Sequence, residues 1–205
     1  MKKSCLFFCI VIAILTVQGQ GYRVGAIFGT SISQVDGDGM GGFHFIGPQG
    51  GIFISKQIAK YSALQGELQY VYKGSGIESK PQTDFRVEIT ASYVDLALYY
   101  KYFYNDKINI KIGLVPSLLI SHKESIAGVE QLVYPEYRKF GLLFSMGGEY
   151  YFNDHWFFSA DWNYSLLSLR SGKAMISNYD ALFFRLIWEN GEFYNYLKFS
   201  LGYRF

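Results

Sequence analysis

From Tyr196 to Phe205 the chain alternates strictly. Leu197, Phe199, Leu201, Tyr203 and Phe205 share one face, and Tyr196, Lys198, Ser200, Gly202 and Arg204 share the other. A period of two is that of a β-strand with unlike faces, and the same pattern recurs along the chain. Half of the residues are hydrophobic and 19% are aromatic, with only four prolines. Even so, no segment beyond the N-terminal run approaches the roughly 20 consecutive apolar residues that a membrane-spanning helix needs. If this chain enters a membrane, it enters as strands.

The N-terminus fits that route. Lys2 and Lys3 precede an apolar run from Cys5 to about Val17, followed by the small-residue site Val17-Gln18-Gly19. This is the pattern of a cleaved secretory signal peptide, expected at residues 1–19, ahead of a single domain at 20–205. Cys5 and Cys9 both lie inside it, so the mature chain is expected to carry no disulfide, thiol nucleophile or lipid anchor. Losing Lys2 and Lys3 takes the formal charge from +2 to about zero. Nothing in that balance points to nucleic acid.

Eight strands are expected, near Tyr22 to Ser33, Gly50 to Lys56, Ala63 to Lys73, Tyr93 to Phe103, Ile108 to Ser121, Arg138 to Phe152, Trp156 to Leu169 and Phe193 to Phe205. Compact links at Lys56 to Ser62, Asn105-Asp106-Lys107 and Asn153-Asp154-His155 alternate with long ones near Val35 to Gln49, Gly74 to Ser92, His122 to Tyr137 and Arg170 to Glu192. Short periplasmic turns and long external loops are the habit of transmembrane barrels. The sequence therefore predicts an all-β, eight-stranded antiparallel up-and-down barrel in the outer membrane of a Gram-negative cell envelope.

Parity assigns Leu64, Leu68, Tyr70, Tyr72, Val94, Leu96, Leu98, Tyr100, Phe140, Leu142, Phe144, Tyr150, Trp156, Phe158, Trp162 and Tyr164 to the lipid face. The opposite face receives Gln65 and a charge network of Arg23, Glu67, Lys73, Asp95, Lys101, Lys111, Glu149, Asp161, Lys198 and Arg204. A soluble barrel would reverse the faces. It would then have to pack about sixteen large apolar side chains into an interior only wide enough for side chains to fill. The membrane reading places the charges there instead, as a plugged, salt-bridged lumen.

Leu64-Gln65-Gly66-Glu67-Leu68-Gln69-Tyr70-Val71-Tyr72-Lys73-Gly74 resembles a segment of the outer-membrane β-barrel family often labelled porin-family or PorT-like, in which a glutamate-leucine-x-tyrosine run closes on lysine-glycine. The resemblance extends through Gly25 and Gly29, Tyr93-Val94-Asp95-Leu96, Gly113 with Pro116, Phe140-Gly141 to Gly147-Gly148, Tyr164-Ser165-Leu166 and Leu201-Gly202-Tyr203-Arg204-Phe205. It implies an eight-stranded outer-membrane barrel without implying a pore. Some members of the family serve protein secretion.

Catalytic chemistry is thinly supported. His44 and His122 fall in external loops and His155 in a periplasmic turn, so a Ser/His/acid arrangement would need one of the first two. Glu124 and Ser125 beside His122 read as a solvated loop. Asp36-Gly37-Asp38-Gly39 begins like a calcium loop, but Gly47 occupies the position of the closing glutamate. No His or Cys cluster has zinc or iron spacing, and no cofactor is expected.

The fourth loop contains Ala181-Leu182-Phe183-Phe184-Arg185-Leu186-Ile187-Trp188, apolar on both faces, so Leu182, Phe183, Phe184, Leu186, Ile187 and Trp188 form a candidate partner-binding segment. Tyr203 and Phe205 are a candidate signal for the barrel-insertion machinery. The expected partners are outer-membrane lipid, that machinery, and other envelope or secretion proteins. The leading functional expectation is a non-enzymatic scaffold or interaction protein. A small-solute or ion channel is the alternative, and a lipid-modifying enzyme built on His122 is a third reading.

Overall fold

A strand whose two faces differ must bury one of them, and a sheet that enters lipid must also leave no open edge, because hydrocarbon offers no hydrogen-bond partner. The structure, a computed structural model describing residues 21–38, 42–77, 87–126, 129–130, 136–170 and 191–205, meets both demands by closing on itself. The strands are β1 (Tyr22–Asp36), β2 (Phe45–Ala59), β3 (Ser62–Ile77), β4 (Val87–Phe103), β5 (Ile108–Ile126), the two-residue β6 (Val129–Glu130), β7 (Phe140–Tyr151), β8 (Trp156–Ser165) and β9 (Phe193–Arg204). Each spanning strand pairs antiparallel with its neighbours. β1 pairs with β9 and β4 with β5, which makes an eight-stranded barrel with β6 as a short hairpin partner of β5. The expected signal peptide and the fourth-loop segment Leu182 to Trp188 lie outside the described residues.

The interior is polar and the exterior apolar. Leu64, Leu68, Leu96, Leu98, Ile110, Ile112, Leu114, Phe140 and Phe158 are exposed, whereas Glu67, Asp95, Lys101, Lys111, Glu149, Asp161 and Lys198 are buried. This is the reverse of a soluble barrel. Only a lipid surround makes such an exterior favourable. Tyr61, Tyr102, Tyr104, Phe152 and Trp156 are exposed toward the short-turn end, where amphipathic rings suit the membrane interface.

Two short turns share one construction. The Asn105 side-chain oxygen accepts from the N–H groups of Lys107 and Ile108 at 2.9 and 2.8 Å, and that of Asn153 accepts from His155 and Trp156 at 2.9 and 2.8 Å. An asparagine that bonds the backbone two residues on mimics a backbone turn and reverses the chain tightly. The third turn is Lys60-Tyr61, since β2 runs on to Ala59 through an irregularity near Gln57.

Several boundaries differ from the sequence expectation. β3, β4 and β5 reach 16, 17 and 19 residues, well past the roughly 9–11 that a tilted strand needs to cross the bilayer. They therefore project beyond it at the long-loop end. Where β4 passes from Ser92 to Tyr93 its register with β5 shifts, so that Ser121 pairs with Ser92 and Leu119 with Tyr93, and Ile120 is the extra residue in β5. Such a bulge turns later side chains to the other face. His122 and Glu124 therefore lie opposite the buried Ala91 and Ile89, on the lumen side. β8 ends at Ser165 and not Leu169, because Leu166 N–H bonds the Leu142 carbonyl while Leu169 N–H bonds that of Glu192, both at 2.8 Å. Tyr164, expected against lipid, is buried. Its ring stacks on Phe193 at 6.3 Å and its hydroxyl engages Asp36.

Interior glycines make room for large neighbours in the narrow lumen. A Cβ on Gly202 would lie 2.1 Å from the Phe157 ring, and one on Gly25 would lie 2.5 Å from Phe53. The two rings meet edge to face at 5.5 Å, and Tyr151 closes on Phe157 from the other side at 5.1 Å. Phe157 cannot retreat. We expect Gly202→Ala to destabilise the barrel by about 1–3 kcal/mol through overpacking, read by urea unfolding in lipid vesicles, and Phe157→Leu in the same chain to recover part of the loss. A Gly202→Ala variant as stable as the parent would contradict this packing.

Candidate functional site

Strand parity brings four lysines and four carboxylates from the described strands into the lumen, where their formal charges cancel. Lys111 stands at the centre, 3.2 Å from Glu67, 3.1 Å from Asp161 and 3.6 Å from Glu149. Lys198 reaches Glu67 and Asp161, each at 3.6 Å, and donates to Gln69 at 3.1 Å. Lys101 bonds Glu149 and donates to Gln65 at 2.9 Å. Burying charges costs several kcal/mol per ion unless each is paired and its remaining lone pairs are satisfied. The neutral side chains supply that second requirement. Gln65 donates to Glu67 at 2.7 Å, Gln69 also bonds Glu67, and Glu149 accepts from Asn109 at 3.0 Å and the Tyr151 hydroxyl at 2.9 Å.

Lys73 and Asp95 form a separate pair at 3.4 Å, nearer the long loops. The Lys73 ammonium lies over the rings of Tyr93, Tyr196 and Tyr194 at 4.2, 4.8 and 5.2 Å, a cage that favours a desolvated cation. Asp95 accepts from the Tyr196 hydroxyl at 3.1 Å and from Ser117. Val35, Val71, Ile89, Tyr99, Val115 and Leu143 pack around this upper layer.

Arg23 and Arg204 stand apart from these pairs. Both line a recess at the short-turn mouth, because they occupy the ends of β1 and β9, where the lumen has already opened. Sequence parity groups them with the other eight and misses this separation. It also passes over Asn109, Ser117, Tyr99 and Tyr151, although each sits at the same parity as a charged residue on its own strand.

The long-loop mouth carries a cluster that parity did not reveal. Arg170 bonds Glu124, donates to Glu192 at 2.7 Å and lies 4.7 Å over the Tyr137 ring, and Tyr137 donates to Glu124 at 2.5 Å. Burial raises the Glu192 carboxyl above its usual range even beside Arg170. Burial and the Glu124 bond likewise raise the Tyr137 phenol. His122, expected in a solvated loop, packs its ring 4.7 Å from Tyr137. Among the described residues it has no hydrogen-bonded acid or nucleophile, and a Ser/His/acid site begins with that contact. His44 is exposed, and the His155 Nδ1 donates to the Arg204 carbonyl, 2.9 Å away at the opposite end. Asp36 is engaged by Gln34 at 2.6 Å and Asn195 at 3.4 Å. Among the described residues no group of three His, Cys, Asp or Glu side chains gathers as metal ligands do.

Comparison with known proteins adds to this geometry. Residues 18–170 match the family described as outer membrane protein beta-barrel domain. Among solved structures, Ail, the attachment invasion locus protein of Yersinia pestis, aligns with a TM-score of 0.51 at 14% identity, covering 89% of this chain and 98% of that one. Neisserial surface protein A aligns with a TM-score of 0.52 at 13% identity, covering 90% and 97%. At these identities the likeness is one of fold. No curated protein matches the chain in sequence.

Proposed function

Starting from the chain's membership of the outer membrane protein beta-barrel domain family, we propose that it is a non-enzymatic scaffold or interaction protein of the outer membrane, a component of a secretion or surface assembly. The observation that carries this reading is the filled lumen. Lys111 contacts three carboxylates at once, and the rings of Phe53, Phe157 and Tyr151 pack together nearer the short-turn mouth. A barrel committed to lipid outside and to side-chain packing inside keeps its ends for function. The apolar run Leu182 to Trp188 gives the long-loop end a candidate docking segment, and Tyr203 with Phe205 gives the last strand a candidate assembly signal. A cleaved signal peptide at residues 1–19 supplies the route of export.

Planar-bilayer recording is the direct test against the channel alternative. We expect the purified barrel to be silent, and Lys101→Met to leave it silent. Steady conductance that changes when Glu67 or Lys101 is neutralised would overturn the proposal. Purification from outer membranes in mild detergent should then recover a protein partner at near-stoichiometric level, and deletion of residues 181–188 should release it while the barrel stays folded.

A further inference from the structure

The recess at the short-turn mouth encloses about 630 Å³, within the roughly 300–1,000 Å³ typical of ligand clefts. Its lining holds four cations, Arg23, Lys60, Lys107 and Arg204, against two carboxylates, Asp106 and Asp154. Gly25 pairs with Arg204, and Arg23 is the next inward residue along β1. The two arginines are thus diagonal neighbours on adjacent strands. Neither belongs to an ion pair with any described carboxylate. Arg23 repels the Arg204 guanidinium as a like charge, and Asp154 and Glu149 offset this only from beyond ion-pair distance, so the two guanidinium forks keep paired N–H donors for an anion. The Arg204 guanidinium also lies 5.6 Å from the Tyr151 ring, and Tyr151 donates to Glu149. The floor of the recess is therefore anchored to the buried charges above it.

We propose that this recess is a binding site for a short acidic peptide segment of a periplasmic protein. The aromatic side chains Phe103 and Tyr151 are interleaved with the cations. They offer apolar surface to a peptide that a bare oxyanion would not use. Asp106 and Asp154, on the two asparagine-built turns at the rim, repel an acidic segment as it enters and so limit its affinity. Arg23 and Arg204 share the parity of the lumen-facing residues of β1 and β9, so they meet a ligand that enters along the barrel axis from the periplasm. The chain's own residues 1–21 contain no Asp or Glu, so that segment does not supply the complementary charge. The site faces the opposite side of the membrane from the surface loops and extends the interaction role to the periplasm.

The test is a titration of the detergent-solubilised barrel with a labelled oligoglutamate, followed by fluorescence anisotropy, with oligolysine and inorganic pyrophosphate as comparison probes. Oligoglutamate should bind, weaken as salt rises, and lose about tenfold or more in affinity in the Arg23→Gln/Arg204→Gln double variant, the scale of losing interface arginines. Lys139→Gln, at the other mouth, should bind as the parent does. Asp106→Asn and Asp154→Asn, both in exposed turns, should tighten binding, which keeps the proposal testable if the double variant fails to fold. Failure of the parent to bind, indifference to the arginines, or weaker binding in the two asparagine variants would each overturn it. Pyrophosphate matching oligoglutamate in potency would overturn the peptide assignment in favour of a phosphate site. None of these results depends on the bilayer recordings or on the surface loops.

Discussion

Replacing Lys111 by methionine is expected to destabilise the barrel by about 3–5 kcal/mol, the scale of breaking a buried ion pair from one side. The ammonium stands within 3.6 Å of Glu67, Glu149 and Asp161, all buried. Its removal leaves three carboxylates facing one another with Lys101 and Lys198 as the remaining cations. Glu67 keeps Gln65, Gln69 and Lys198, and Glu149 keeps Lys101, Asn109 and Tyr151. Asp161 keeps Ser159 and Lys198, fewer partners than Glu149. Adding Asp161→Asn to Lys111→Met should therefore recover more stability than adding Glu149→Gln. Lys73→Met should cost less than Lys111→Met, because it orphans one carboxylate, which retains the hydroxyls of Tyr196 and Ser117. Urea titrations in lipid vesicles, read by tryptophan fluorescence, give the order directly. A Lys111→Met barrel as stable as the parent would show that the central charges are not held as described.

Leu98→Arg is expected to cost about 2–4 kcal/mol, the penalty for arginine on the lipid face at the bilayer midplane, while Tyr104→Arg at the rim should cost about 0–1 kcal/mol. Leu98 is 52% exposed and pairs with Gly66 and Leu114, midway along the part of β4 that crosses the membrane. Tyr104 is 73% exposed and sits in the turn after β4. In water both positions are simply exposed, and exposed substitutions usually change stability by less than 0.5 kcal/mol. The difference between the two variants is therefore a property of the lipid surround. Equal costs in vesicles would refute the assignment of this face to lipid.

Much of this architecture is legible in the chain because a strand's alternation and a turn's chemistry are local. The faces of Leu64, Leu68, Leu96 and Leu98, and the turns built by Asn105 and Asn153, follow from residues within a few positions of each other. Where the reading failed, a distant residue intervened. Tyr164 has lipid-face parity, yet Phe193 and Asp36 cover it. His122 and Glu124 read as loop residues, but the bulge at Ile120 carries β5 onward and turns both inward. Arg170 meets Glu124 across 46 positions, a distance over which no periodicity carries information.

The sequence by itself determined that the chain forms strands with one apolar and one charged face, how many cross the membrane, and where the tight turns fall. These depend on side-chain period and turn residues, which each segment carries alone. Only the tertiary structure decided which charges meet. Closure and stagger of the barrel bring Lys111 of β5 against Glu67 of β3 and Asp161 of β8, and leave Arg23 and Arg204 together at the mouth. A charge on one strand acquires its partner only when the sheet closes, because closure alone sets the distance across the lumen.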